Sequence, residues 1–146
     1  MMRSMTALIL VLSISGLAQA ELLTKESAHS VQETMDKFES IVKEKGMTVF
    51  ARVDHAKNAG SVGMEMPASQ LLIFGNPKGG TVLMQQDMRV GVELPLKVLV
   101  YSNSDGKTMM AWENPLALKN SYELENAAVL EKVAGGLDKL TTAASR

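Results

Sequence analysis

Leu71-Leu72-Ile73-Phe74-Gly75-Asn76-Pro77-Lys78-Gly79-Gly80 is the stretch on which the reading of the fold turns. Four consecutive apolar residues make too short a run for a helix, and Gly-Asn-Pro stops them. They therefore read as a strand over Gln70–Phe74, buried on both faces, and so as the centre of a sheet. Asn76 stands where a helix N-cap belongs, and Pro77 at the first helical position loses nothing by lacking an N–H. A short helix is predicted to follow, reaching about Gln86.

Working outward, Ser30-Val31-Gln32-Glu33 is a capping box, in which hydroxyl and carboxylate each satisfy an orphan backbone N–H of a starting helix. Val31, Met35, Phe38, Ile41 and Val42 then recur at helical spacing, and Gly46 stands where a C-terminal glycine belongs, so a helix is predicted near Ser30–Lys45. Glu21–Ala28 is a weaker first strand. Met47–Asp54 alternates, with Val49, Ala51 and Val53 on one face and Phe50 and Arg52 on the other, which describes a strand covered mainly on one side. From Lys57 to Ser69, Gly60, Gly63 and Pro67 predict a short helical turn and a loop. Downstream, Leu96–Tyr101 and Lys107–Glu113 are strands paired through the turn Asn103-Ser104-Asp105-Gly106. Asn114-Pro115 opens a short helical turn, and Leu130, Val133, Leu137 and Leu140 form the stripe of a last helix near Leu124–Thr142. Gly135-Gly136 inside that helix costs stability and is predicted to mark close contact with the sheet. The order defines an α+β fold, a single antiparallel-rich sheet with helices packed on one face.

The first twenty residues have their own pattern: Arg3, an apolar run from Leu8 to Ile14, then Ala18-Gln19-Ala20. A positive start, a short apolar stretch and a small-x-small site describe a secretory signal peptide cleaved after Ala20, which leaves residues 21–146 as one domain. The chain carries 15 basic and 16 acidic residues, and cleavage removes one basic residue, Arg3. Such a balance argues against nucleic-acid binding, which needs clustered positive charge. No second long apolar run is present downstream, so no membrane association is expected after cleavage. There is no cysteine, which excludes disulfides, thiol catalysis and thiolate metal sites. Export together with a cysteine-free domain points to the periplasm.

The runs Val49-Phe50-Ala51-Arg52-Val53-Asp54-His55-Ala56, Leu71 to Lys78 and Leu94-Pro95-Leu96-Lys97-Val98-Leu99-Val100 closely resemble the bacterial family called domain of unknown function 302. The resemblance spans about Ser30 to Leu140. It implies an arrangement grouped with the TATA-binding-protein-like α+β class and commonly seen as a homodimer. It implies no catalytic or binding residue.

Several residues carry possible chemistry. Asn76, Lys78, Gly79 and Gly80 place a glycine-flanked helix N-terminus and a cation after a strand, an arrangement that binds small anions, although Asn76 and Pro77 also suffice for an ordinary capped turn. Neither the Walker nor the dinucleotide glycine spacing is present, and no cofactor is implied. His55, Tyr101 and Trp112 are the side chains expected to converge on that site beside an apolar wall. Asp54-His55 is the best acid/base pair in name, and supports a small hydrolase or isomerase as the alternative to a binding module. Of the eleven methionines, Met64, Met66, Met84 and Met88, with His55, would be soft ligands for Cu(I) or Ag(I), but methionine standing in for leucine in a core is the favoured account of them. The leading expectation is a periplasmic, homodimeric module that binds a small ligand or a partner protein and has no metal site.

Overall fold

A computed structural model describes residues 21–125 and 127–146; the expected signal peptide at 1–20 lies outside the described residues. The stripe Val31, Met35, Phe38 and Val42 becomes the buried face of α1 (Val31–Glu44). The capping box forms, with the Glu33 N–H donating to Ser30 Oγ at 3.2 Å and the Ser30 N–H to Glu33 Oε2 at 3.1 Å. The other end closes with Gly46 at φ 73°: its N–H reaches the Lys43 carbonyl at 2.9 Å, and the Met47 N–H reaches that of Val42 at 3.2 Å. That pair of bonds needs a left-handed residue between helix and strand, which glycine adopts without a Cβ penalty.

Strands β1 (Leu22–Ser27), β2 (Thr48–Asp54), β3 (Ser69–Gly75), β4 (Leu96–Ser102) and β5 (Thr108–Glu113) form one antiparallel sheet in the order β1-β5-β4-β3-β2. Helices α2 (His55–Ser61), α3 (Pro77–Gln86) and α4 (Ala127–Ser145) and two 3-10 turns, Met88–Val92 and Pro115–Asn120, complete the domain. The architecture is the α+β one read from the sequence. Its centre, however, is β4, and β3 lies next to an edge strand. Nor is β3 buried on both faces: Leu72 and Phe74 are buried under the helices, while Leu71 and Ile73 are half-buried on the outer face. The unbroken apolar run reflects an apolar outer sheet face, shared with Leu99, which pairs with Leu71 and Ala111, and with Met109, which pairs with Tyr101.

The second correction concerns β2. Val49 pairs with Phe74, but Ala51 pairs with Ile73, so one extra residue, Phe50, is accommodated between them. A bulge of this kind reverses the alternation beyond it. Val49 therefore joins the core beneath the helices, and Arg52 returns to that same side while Ala51 and Val53 turn outward. Arg52 Nη1 meets Asp36 Oδ1 at 2.7 Å and Glu39 Oε2 at 2.9 Å on α1, and its Nε and Nη2 donate to Gln70 Oε1 at 2.9 and 2.6 Å. Phe50, left over, is 54% exposed.

Helices α1 and α4 lie side by side on one face of the sheet. They run antiparallel: α1 starts beside the end of β1, where Ser27 Oγ and Thr34 Oγ1 are 2.7 Å apart, and α4 ends there, with the Ala28 N–H donating to the Ser145 carbonyl at 2.9 Å. Where α1 meets the sheet, Phe38 packs edge to face on Phe74 of β3, centroids 5.3 Å apart at 83°. Two helix boundaries differ from expectation. Asp54 caps α2 by accepting from the Lys57 N–H, so that helix starts at His55, and α4 starts at Ala127 and runs on to Ser145.

Phe38→Ala is expected to remove about 3–5 kcal/mol of stability in urea unfolding, because a fully buried ring leaves a cavity. Phe50→Ala is expected to change it by no more than about 0.5 kcal/mol, as befits an exposed position.

Candidate ligand-binding cavity

At the end of the sheet where β3 finishes and β4 begins, the chain leaves a cleft of about 680 Å³. Its floor is Phe74 and Leu96 of the sheet. One wall is α4, through Leu130, Val133, Gly136 and Leu137, and the other is α3, through Lys78, Gly79, Gly80 and Leu83. Phe50, set free by the bulge, stands at the rim with Met47. The volume lies inside the range of small-molecule sites, and the lining is overwhelmingly apolar.

The glycines explain the space. A Cβ built on Gly79 or Gly136 would meet nothing within 4 Å, and one on Gly80 would meet only Leu94 Cδ1 at 3.6 Å. Gly135-Gly136 therefore does not mark close contact between α4 and the sheet, as its position in a helix suggested; Gly136 faces the open cleft. In a helix interior each glycine costs about 0.8–1.0 kcal/mol relative to alanine, so the cleft is kept open at a measurable cost in stability.

The amide donors at the start of α3 are already engaged. Asn76 Oδ1 accepts from the N–H groups of Lys78 at 3.0 Å and Gly79 at 3.4 Å, and the Gly80 N–H donates to the Asn76 carbonyl at 3.0 Å. What this helix end presents to the cleft is thus the Lys78 side chain. Lys132 of α4 lines the cleft as well; both lysines are exposed, which places their ammonium groups at its mouth, and among the described residues neither is hydrogen-bonded or ion-paired. The sequence did carry a pointer to Lys132, since it lies four residues before Gly136 and so shares its helix face.

A second buried cluster, Leu83, Val90 and Leu130, joins α3 and the turn after it to α4 beside the cleft. Asp87 ties this part together. Its Oδ1 accepts from the Arg89 N–H and Nε, both at 3.0 Å, and its Oδ2 from Arg89 Nη2 at 2.8 Å and the Glu123 N–H at 3.0 Å. The Arg89 guanidinium first, and then the Glu123 amide, hold this buried carboxyl well below the usual carboxylate range. Beside it Tyr122 Oη donates to Glu93 Oε1 at 2.6 Å, which raises the phenol's pKa. Sequence reading missed Asp87, because Asp-Met-Arg looks like any polar connection until Glu123 arrives from 36 residues away.

Of the other candidate residues, His55 and Tyr101 lie elsewhere. Asp54 pairs with Gln70, and Tyr101 with Ser69, at the opposite end of β3 from Asn76. His55 is there too, and the span of β3 separates it from the cleft by roughly 20 Å. Asp54 is occupied as the α2 cap, and among the described residues no hydrogen bond joins it to His55. Tyr101 faces outward from the sheet. Trp112 does stand at the cleft end of the sheet, buried on the helix side with Lys25 Nζ 5.7 Å from its ring centroid, and lines a smaller hollow that shares Leu94, Leu96 and Leu137 with the cleft. The methionines divide likewise: exposed Met64 and Met66 precede β3, and Met84 and exposed Met88 come after it, so the four do not come together. Among the described residues no cluster of three His, Asp or Glu side chains could hold a metal ion.

The geometry is that of an α+β domain with an apolar cleft at one end of its sheet. The chain belongs to the family described as Domain of unknown function DUF302, whose family model matches residues 23–142. A crystal structure of an uncharacterized conserved protein DUF302 from Bacillus stearothermophilus has the same fold, with a TM-score of 0.66 at 22% identity over 85% of this chain and 94% of that one. Proteins named fluoride-specific ion channel FluC 1 from Brucella suis and Brucella abortus are 35% identical over 130 residues, 88% of this chain but 51% and 48% of theirs. The chain thus spans about half the length of the curated relatives it matches.

Because the Asp87 carboxylate is lowered in the folded state, it stabilises the fold above the ordinary carboxylate pKa and ceases to as pH falls through its own depressed value. Asp36, lowered by Arg52, and Glu39, lowered by Lys43 and Arg52, act in the same direction. Asp87→Asn is therefore expected to lower the melting temperature at pH 7. The gap from wild type should shrink progressively below about pH 4 in thermal scans, while the shared Asp36 and Glu39 contributions subtract out.

Proposed function

We propose that this domain is a periplasmic binding module that takes a small apolar molecule into the cleft between α3 and α4. The observation that carries the reading is Gly136, a destabilising helix residue whose missing side chain opens onto a space of ligand size. Export to the periplasm rests on the pattern of residues 1–20. The channel name of the Brucella proteins stays with them, since the match leaves about half of each unaccounted for and no helix among the described residues is long and apolar enough to cross a membrane.

The test uses a neutral dye, N-phenyl-1-naphthylamine, whose fluorescence rises in apolar surroundings. Wild type should enhance it. Gly136→Leu, whose Cβ meets nothing within 4 Å and which adds about 1 kcal/mol of helix propensity, should keep or raise the melting temperature and abolish the enhancement. Equal enhancement by wild type and variant would refute the reading.

A homodimer formed through the outer sheet face is the second proposal. That face presents half-buried Leu71, Ile73, Leu99, Tyr101 and Met109 with 61% exposed Leu22 at its edge, an apolar patch of the kind that marks an interface. Light scattering after size exclusion should give twice the chain mass for wild type and a folded monomer for Leu99→Glu. A monomeric wild type at micromolar concentration refutes it.

A further inference from the structure

If the cleft is a binding site, as proposed, its lining also selects the class of molecule that enters, and the selection rests on that proposal. We infer that the ligand is an anionic amphiphile, one alkyl tail with a carboxylate-like head, its tail in the cleft and its head between Lys78 and Lys132. Two observations combine. The walls are apolar throughout their depth, from Phe74 and Leu96 at the floor to Leu130 and Leu137 along α4, so the buried part of a ligand has almost nothing to hydrogen-bond. The charged side chains among the lining residues are two lysines and no acid, in a chain whose acidic residues outnumber its basic ones.

Both lysines are available. Among the described residues neither ammonium is ion-paired, in contrast with Lys25, Lys43 and Lys107, which are bound to Asp138, Glu39 and Glu26. Nor do the backbone donors of α3 compete, because Asn76 occupies them. A zwitterionic or cationic head would bring a positive charge up to two others with no acid in the cleft wall to offset it. A wholly neutral hydrocarbon would leave both lysines without a role. A polar head is also best placed at the mouth, where water can complete its solvation.

The experiment is displacement of N-phenyl-1-naphthylamine from the whole chain by straight-chain carboxylates, and by alkyltrimethylammonium ions of matching length, all below their micelle concentrations. Carboxylate affinity is expected to rise about fourfold per added methylene until the cleft is full. At each length the carboxylate should bind more tightly than the ammonium ion, and the advantage should fall with added salt. Lys78→Ala together with Lys132→Ala, both at exposed positions that leave the fold intact, should lower carboxylate affinity about two- to fivefold per lysine relative to the affinity for the neutral dye. Equal displacement by both head groups, or a double variant without effect on carboxylates, would overturn this inference and spare the cleft as a binding site. No dye binding and no displacement at any chain length would defeat both. A dye signal per chain that falls as the protein is concentrated, with no competition by carboxylates, would assign the cleft to a second copy and overturn the inference as well.

Discussion

The structure depends on a single helix-covered sheet face, and at its centre on the edge-to-face contact of Phe38 with Phe74. With no cysteine anywhere in the chain, no covalent link supports the fold, and burial of this one surface has to offset the conformational entropy of the chain. Phe74 also has a second role. It belongs to the main core on one side and to the floor of the cleft on the other. The cleft therefore lies at the seam between two buried clusters, the large one under α1 and α4 and the small one around Leu83, Val90 and Leu130. Cavities collect where two cores meet without merging, because neither cluster can fill the gap without withdrawing side chains from itself. Asp87 ties the smaller cluster together, joining the turn after α3 to the segment before α4 through Arg89 and the Glu123 amide.

The bulge at Phe50 links packing to site. Had β2 alternated without interruption, Arg52 would point to the outer face and its partners Asp36, Glu39 and Gln70 would lie on the other side of the sheet. With the extra residue, one guanidinium joins α1 to β3 at the edge of the core, where its donors find acceptors on three residues. The same displacement leaves Phe50 out of register, and its ring goes to the rim of the cleft. One inserted residue accounts for both the polar bridge and the aromatic rim.

Much of the fold was legible because the determinants are local. Ser30 with Glu33, Asn76 with Pro77, and Asn103 to Gly106 each act within four residues, and each element appears where those residues place it. What was not legible depended on sequence-distant neighbours. That β4 and not β3 is central is a consequence of β1 pairing with β5, some ninety residues away. The bulge leaves no mark in an alternating strand, since Val49, Ala51 and Val53 fit either register until Phe74 and Ile73 choose one. The sequence groups His55, Tyr101 and Trp112 with the α3 end, but antiparallel strands finish alternately at opposite ends of a sheet, so that Trp112, near the end of β5, shares the end where β3 finishes while His55 and Tyr101 do not. Only three-dimensional pairing shows which ends coincide. Gly135-Gly136 stands out in the sequence but points to the opposite environment, because absence of a side chain marks close contact and empty space alike.

The magnitudes divide the work of the cleft between its two parts. A solvent-facing ammonium contributes about 0.2–1 kcal/mol to a carboxylate contact, so Lys78 and Lys132 together hold a head group only weakly. Each buried methylene contributes about 0.8 kcal/mol, so a tail of a few carbons already outweighs both lysines. Affinity in such a site comes from the hydrocarbon, and the lysines set orientation and the sign of charge accepted at the mouth. This reverses the weighting that the Gly-Asn-Pro-Lys-Gly-Gly stretch suggests when read alone, where the helix end and its cation are the site and the apolar wall is its surroundings. With Asn76 closing the amide donors, the apolar space becomes the principal term, and the stretch serves chiefly to open it: Pro77 and Asn76 start the helix, and Gly79 and Gly80 keep side chains out of the way.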